Sequence, residues 1–160
     1  MSPWNWAAAL LLVRLARRAH SMLLLPVILA PSATPGGGIV CRAANTIPAG
    51  TAIWRFDPLV DRLVPVNEVV KRAATDPIYR ALVPRCAYVG HSDPDHYIWH
   101  GDDGRFWNHA ATPLANTLVL ADETVVALRD IAPGEELTAD YRLFVARAPL
   151  NELDWLKSLA

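Results

Sequence analysis

Arg105-Phe106-Trp107-Asn108-His109-Ala110-Ala111-Thr112-Pro113 is the stretch on which the fold turns. It is read with Gly134-Glu135-Glu136-Leu137-Thr138-Ala139-Asp140-Tyr141, about thirty residues later. In the first segment an aromatic pair runs directly into an Asn-His dipeptide, which sets two hydrogen-bonding side chains beside large apolar ones. A polar group buried there finds a partner or costs free energy. In the second segment a turn leads into a short strand ending on Asp-Tyr, where a phenol is placed to line a pocket. Together the residues describe a site that holds a polar ligand between an amide, an imidazole and a phenol. On the dipeptide alone, Asn108 and His109 also fit as caps of a turn before Pro113.

Working outward, a chain of 160 residues that is 52% hydrophobic is long enough for one core and short for two domains. Thirteen prolines and eight glycines, scattered between short apolar runs, predict many turns and short strands rather than a helical bundle. The formal net charge of −1 becomes −4 for the body once Arg14, Arg17 and Arg18 of the acid-free residues 1–21 are set aside. Such a body is a poor nucleic-acid binder and suits a basic peptide. Cys41 and Cys86 stand too far apart for a zinc spacing and too few for a disulfide framework.

Residues 1–21, with Trp4, Trp6 and arginines at helical spacing, form an amino-terminal extension that reads as an amphipathic basic helix. We expect it to lie on the domain or in solvent, or to precede a true start at Met22, rather than to anchor the chain to a membrane. No apolar run approaches the ~18 residues needed to span a bilayer. A secretory signal ending near Ala33 conflicts with Pro26 inside the apolar run, and cleavage there would remove apolar material needed as a strand. The expected location is cytoplasmic.

Residues 23–31 suit a buried or edge strand that tolerates Pro26. Gly36-Gly37-Gly38 then precede Ile39-Val40-Cys41; such glycines let the backbone approach a ligand, although a flexible linker fits nearly as well. Ile47-Pro48-Ala49-Gly50 has the proline and glycine positions of a type I turn, and Ile131-Ala132-Pro133-Gly134 those of a type II turn. Residues 117–129 predict a hairpin around Ala121-Asp122-Glu123. In the insert, about 65–95, Asn67 is placed to cap one helix and Asp76-Pro77 to start a second. His91, Asp93, Asp95, His96, His100, Asp102 and Asp103 offer metal ligands, but their spacing fits no metal pattern and the turn residues between them predict a solvated loop. No metal site is assigned. Tyr97-Ile98-Trp99 reads as a strand, with Tyr97 facing a substrate channel or simply packed.

At these residues the chain resembles the SET-domain protein lysine methyltransferases. Their two motifs are similar to Arg-Phe-x-Asn-His-Ser-Cys-x-Pro-Asn and Gly-Glu-Glu-Leu-Thr-x-Asp-Tyr, and their opening Gly-x-Gly segment matches Gly36, Gly38, Ile39 and Val40. The resemblance covers about 23–144. It implies a mostly β, α+β fold: a β-clip of short strands and hairpins with a helical insert and a carboxy-terminal pseudoknot, spanning 22–145. It further implies S-adenosyl-L-methionine as cofactor, held by Gly36, Gly37, Gly38, Ile39, Arg105, Phe106, Asn108, His109, Tyr141 and Phe144. The substrate implied is a protein or peptide lysine, reached through a channel beside Tyr97 and Trp107, with Tyr141 as the catalytic phenol. Ala110-Ala111 depart from the family's Ser-Cys, and two additional residues place Asn116 where the motif's last Asn belongs. The cysteine cluster that follows the motif in many members is absent; Phe144 and an amphipathic tail over 146–160, carrying Trp155, are expected to close the site, although Trp155 suits core packing equally. The turn Ile47-Pro48-Ala49-Gly50-Thr51 also resembles SAF-type β-clip modules. A degenerate or SAF-like binding module is therefore the competing reading.

Overall fold

The computed structural model describes residues 22–33, 38–146 and 148–150. The extension 1–21, Gly36 and Gly37 of the glycine run, and Trp155 with most of the expected tail helix lie outside these residues. Of that tail, Ala146 and residues 148–150 are described and are not helical.

Strands dominate, in three small sheets. β1 (Val27–Pro31) begins immediately after Pro26 and pairs antiparallel with β2 (Ile39–Ala43), so the proline sits just outside the ladder. The largest sheet has β3 (Ala52–Trp54), β7 (Asn108–His109), β8 (Thr117–Val119), β9 (Val125–Ala127) and β10 (Thr138–Ala139) in the order β3-β9-β8-β10-β7. The third has β6 (Asp93–Trp99) between β4 (Arg62–Pro65) and β5 (Ala87–Gly90). The expected hairpin is β8–β9, with Glu123 at φ 63° closing its turn.

The two Pro-Gly turns join each other. Ile47 and Ile131 exchange both backbone hydrogen bonds at 2.9 Å, and both are fully buried in the main core with Ile53, Trp54 and Leu137. The first turn differs from its predicted type. Thr51 N–H donates to Pro48 C=O, which makes Gly50, at φ 78°, the third residue, as in the second turn with Gly134 at φ 79°. A positive φ there is the type II requirement, and glycine meets it without steric cost.

The insert contains α1 (Val66–Thr75) and α2 (Pro77–Cys86). α1 starts one residue before Asn67, from the rigid φ of Pro65, and has no side-chain cap, so the capping role expected of Asn67 is not filled. Asp76 does cap α2, its Oδ1 accepting from Tyr79 N–H at 2.9 Å. Val69 and Val83 pack the helices onto a second core with Val89 and Tyr97. The polar segment predicted as a loop is largely β6, because backbone pairing with β4 and β5 outweighs its poor strand composition. Among the described residues no helix is long and apolar enough to cross a membrane.

Candidate active site

The two motif segments meet through a parallel pairing. Thr138 lies opposite Asn108 and Ala139 opposite His109, while Ala139 also pairs with Thr117 of β8. Parallel neighbours cannot be made by a tight turn, so the contact joins segments that the chain visits far apart. Side chains lock it. Asn116, 2% exposed, donates from Nδ2 to Glu136 C=O at 2.8 Å and accepts Thr138 N–H at 2.9 Å on Oδ1. Trp107 Nε1 donates to Thr117 Oγ1 at 3.1 Å, and that hydroxyl donates to Thr138 C=O at 2.8 Å. Asp140 accepts Thr112 N–H at 2.9 Å and Arg142 through Nε and Nη2; the Arg142 guanidinium holds its carboxyl well below the usual range.

Tyr141 stands at the end of this arrangement. Its hydroxyl donates to Trp107 C=O at 2.7 Å, and its N–H donates to His109 Nδ1 at 3.2 Å. His109 Nδ1 is therefore unprotonated, and burial lowers the imidazole pKa, so the ring is neutral. Burial raises the phenol pKa of Tyr141, which keeps its proton. Tyr141, Trp107 and Arg105 line one cavity of about 140 Å³ with Trp54, Tyr88, His100 and Phe144. The rings form an arc: Trp54 to His100 at 5.0 Å, His100 to Tyr88 at 5.6 Å, Tyr88 to Phe144 at 5.3 Å and Phe144 to Tyr141 at 5.6 Å. The cavity's lining of aromatic rings with Val119, Val125 and Val145 suits the apolar chain of an alkyl amine.

A second polar set lies beside Asn108. Its Nδ2 donates to Glu136 Oε1 at 3.0 Å, and its Oδ1 accepts His109 N–H at 2.9 Å. Glu136 also accepts from Ser32 Oγ and stands 3.8 Å from Arg42. Gly38, at φ 65°, has open space where a side chain would project, and Ile39 is half exposed. An amide, a carboxylate and a guanidinium match the ammonium and carboxylate of a free amino-acid end, so the donor set fits the methionyl end of S-adenosylmethionine.

The other sequence-singled residues are dispersed. Tyr97 does not reach the cavity: it is fully buried in the second core, and its hydroxyl accepts Leu150 N–H at 3.2 Å. Packing, rather than the channel position, is its place. Phe106 packs on the main core, and Arg105 lies 4.7 Å over its ring. Asp61, which no motif marks, joins His100 and Asp102 with ligand atoms within 4.8 Å of one another. Their carboxylates already accept N–H groups of Asp57 and Gly101, and of Leu23 and Gly104. The cluster ties loops together. Tyr88 and His100 are cavity residues that motif reading missed; no local signal marks them, since strand pairing alone turns them inward.

The model of the SET domain family matches residues 38–142, and the chain belongs to this family of methyltransferases. Its fold is similar to a humanized mutant of Chaetomium thermophilum Polycomb Repressive Complex 2 bound to the inhibitor GSK343. There the identity is 21% over 77% of this chain and 16% of the other, with a TM-score of 0.59. A ctPRC2 structure in an autoinhibited conformation bound to S-adenosylmethionine matches at 20% identity over 84% of this chain and 17% of the other, TM-score 0.59. The chain thus spans about a sixth of the length of these relatives. No curated protein matches it.

Proposed function

We propose that the protein transfers a methyl group from S-adenosyl-L-methionine to the side-chain amine of a protein lysine. The observation that carries this reading is the Tyr141 hydroxyl, 2.7 Å from Trp107 C=O, on the wall of a cavity lined mainly by aromatic and apolar side chains. When bound, the cofactor supplies an electrophilic methyl on a sulfonium. Asn108, Glu136 and Arg42 would hold its amino-acid end, with Gly38 and Ile39 beside them. The aromatic arc would strip water from the lysine chain and, with the cation nearby, disfavour the ammonium whose ordinary pKa is ~10.4. The neutral amine would be the nucleophile toward that methyl, and the residues lining the cavity would hold it in line and leave a path for its proton to reach solvent. Tyr141 and the Trp107 carbonyl would align the amine lone pair. Alignment and water exclusion supply most of the acceleration.

Methyl transfer to lysine peptides, followed with labelled cofactor, tests this. Tyr141→Phe is expected to lower kcat by roughly 10²-fold, the scale of a lost transition-state hydrogen bond. Its affinity for S-adenosylhomocysteine, measured by calorimetry, should stay within about threefold. Near-normal turnover would remove Tyr141 from the chemistry. One observation favours the competing reading of a non-catalytic module: both polar atoms of Asn108 are already engaged within the chain. Absence of S-adenosylhomocysteine binding at any concentration would select that module.

A further inference from the structure

The charged side chains that line the cavity are of one sign, while the nearest carboxylates stand behind its wall, Glu123 on the Tyr88 hydroxyl at 2.8 Å and Asp61 3.8 Å from His100. Of the side chains lining it, Arg85 and Arg105 are the ionised ones; the remainder are aromatic, apolar or neutral, and no carboxylate lines it. His100 adds no charge at neutral pH, since burial and then Arg105 push its pKa down to about 4. Arg85 comes from the last turn of α2 and Arg105 from the 3₁₀ turn Asp103–Phe106. Both are exposed while lining the cavity, so they stand where it opens to solvent. Neither has an ion-pair partner among the described residues.

A lysine ammonium approaching this opening meets two like charges, which costs free energy unless the ligand brings an anion with it. The cofactor's carboxylate has a complementary set elsewhere, at Arg42, Glu136 and Asn108. We infer that Arg85 and Arg105 bind an acidic side chain adjoining the target lysine, so that the substrates are lysines in acidic sequence context. This rests on the lysine-methyltransferase reading and narrows its substrate class. It runs against the basic partner suggested by the net charge, because the field at one opening is set by the side chains that form it. Guanidinium groups suit the task through paired N–H donors to a carboxylate.

The test uses four peptides that differ only at the positions flanking one lysine: Ala, Asp, Glu or Arg. Binding is read by fluorescence anisotropy, turnover as kcat/KM, and S-adenosylhomocysteine affinity by calorimetry. Asp and Glu peptides are expected to bind roughly fivefold tighter than Ala and the Arg peptide weakest, the spread narrowing with added salt. Arg85→Glu should reverse the order, Arg85→Ala should flatten it, and both should leave S-adenosylhomocysteine affinity within about twofold. Equal binding of all four peptides overturns the inference. So does a loss of S-adenosylhomocysteine affinity in Arg85→Glu with the peptide order unchanged, which would assign the cations to the cofactor. The expected ranking without methyl transfer would keep the acidic preference and remove the enzyme reading; transfer without ranking would do the reverse. No saturable binding of any peptide would remove both.

Discussion

Asp61 is buried and His100 mostly so, 3.8 Å apart, and burial acts on them in opposite senses. It pushes the Asp61 carboxyl up to about 6, because a charge there is poorly solvated, and pushes His100 down to about 4 for the same reason. An unfolded carboxyl titrates near ~3.9 and an unfolded imidazole near ~6.5. Between pH about 4 and 6 the native state therefore holds more of the Asp61 proton than the unfolded chain, and this contribution makes stability fall as pH rises. For His100 the unfolded chain holds more of the proton up to about 6.5, and stability rises with pH. The two slopes oppose each other, and the wild type should be flatter than either single variant. We predict that Asp61→Asn gains stability from pH 4 to 6.5 and that His100→Gln loses it from pH 4 to 6, measured by urea unfolding. Slopes of one sign in both variants would show that the two groups do not titrate as placed.

Individual elements carry their own instructions to different degrees. Gly50 and Gly134 hold positive φ in paired turns, and an added Cβ would meet nothing within 4 Å at either. The cost of alanine is then confined to the backbone, about 1–2 kcal/mol for each site, read as a lowered midpoint of thermal unfolding. A loss well above that would mean that the Ile47–Ile131 joint also breaks. The places of these turns, though not the type of the first, were legible, as were the β8–β9 hairpin and the Asp76 cap, because their causes lie within a few residues. Tyr88 and Tyr97 were not separable by the same means. They sit on adjacent, paired strands, and alternation says only that side chains take opposite faces. Whether a face meets α1 and α2 or the cavity is decided by registers such as Tyr88 opposite Ile98. His100 and Trp54 became cavity walls for the same reason, through contacts between distant segments. Of the candidate site, Asn108, His109, Trp107 and Tyr141 were legible as one cluster because motif order names them together. The Arg85 half of the opening was not.

For the whole molecule, site and stability are the same joint. The segment bearing Trp107, Asn108 and His109 reaches Tyr141 through β7, β10 and β8, and Asn116, just before β8, fastens that strand to β10 together with the Thr117 hydroxyl. Asn116 is absent from the cavity lining, so a purely local view predicts no effect of its loss on ligands. The topology predicts otherwise. Asn116→Ala strands the half-buried Glu136 carbonyl and Thr138 N–H at about 1–3 kcal/mol each, and a total loss of about 3 kcal/mol is expected in urea unfolding. Because a ligand that binds only the assembled state stabilises by mass action, about 2.7 kcal/mol at a hundredfold excess over Kd, S-adenosylhomocysteine should restore much of that loss. Asn116→Ala should also lower kcat at saturating cofactor, by loosening Tyr141 relative to Trp107 C=O. If the variant is destabilised yet turns over normally when kept folded by ligand, the joint sets stability alone, and alignment of the phenol is carried by Asp140 and its Arg142 and Thr112 partners instead.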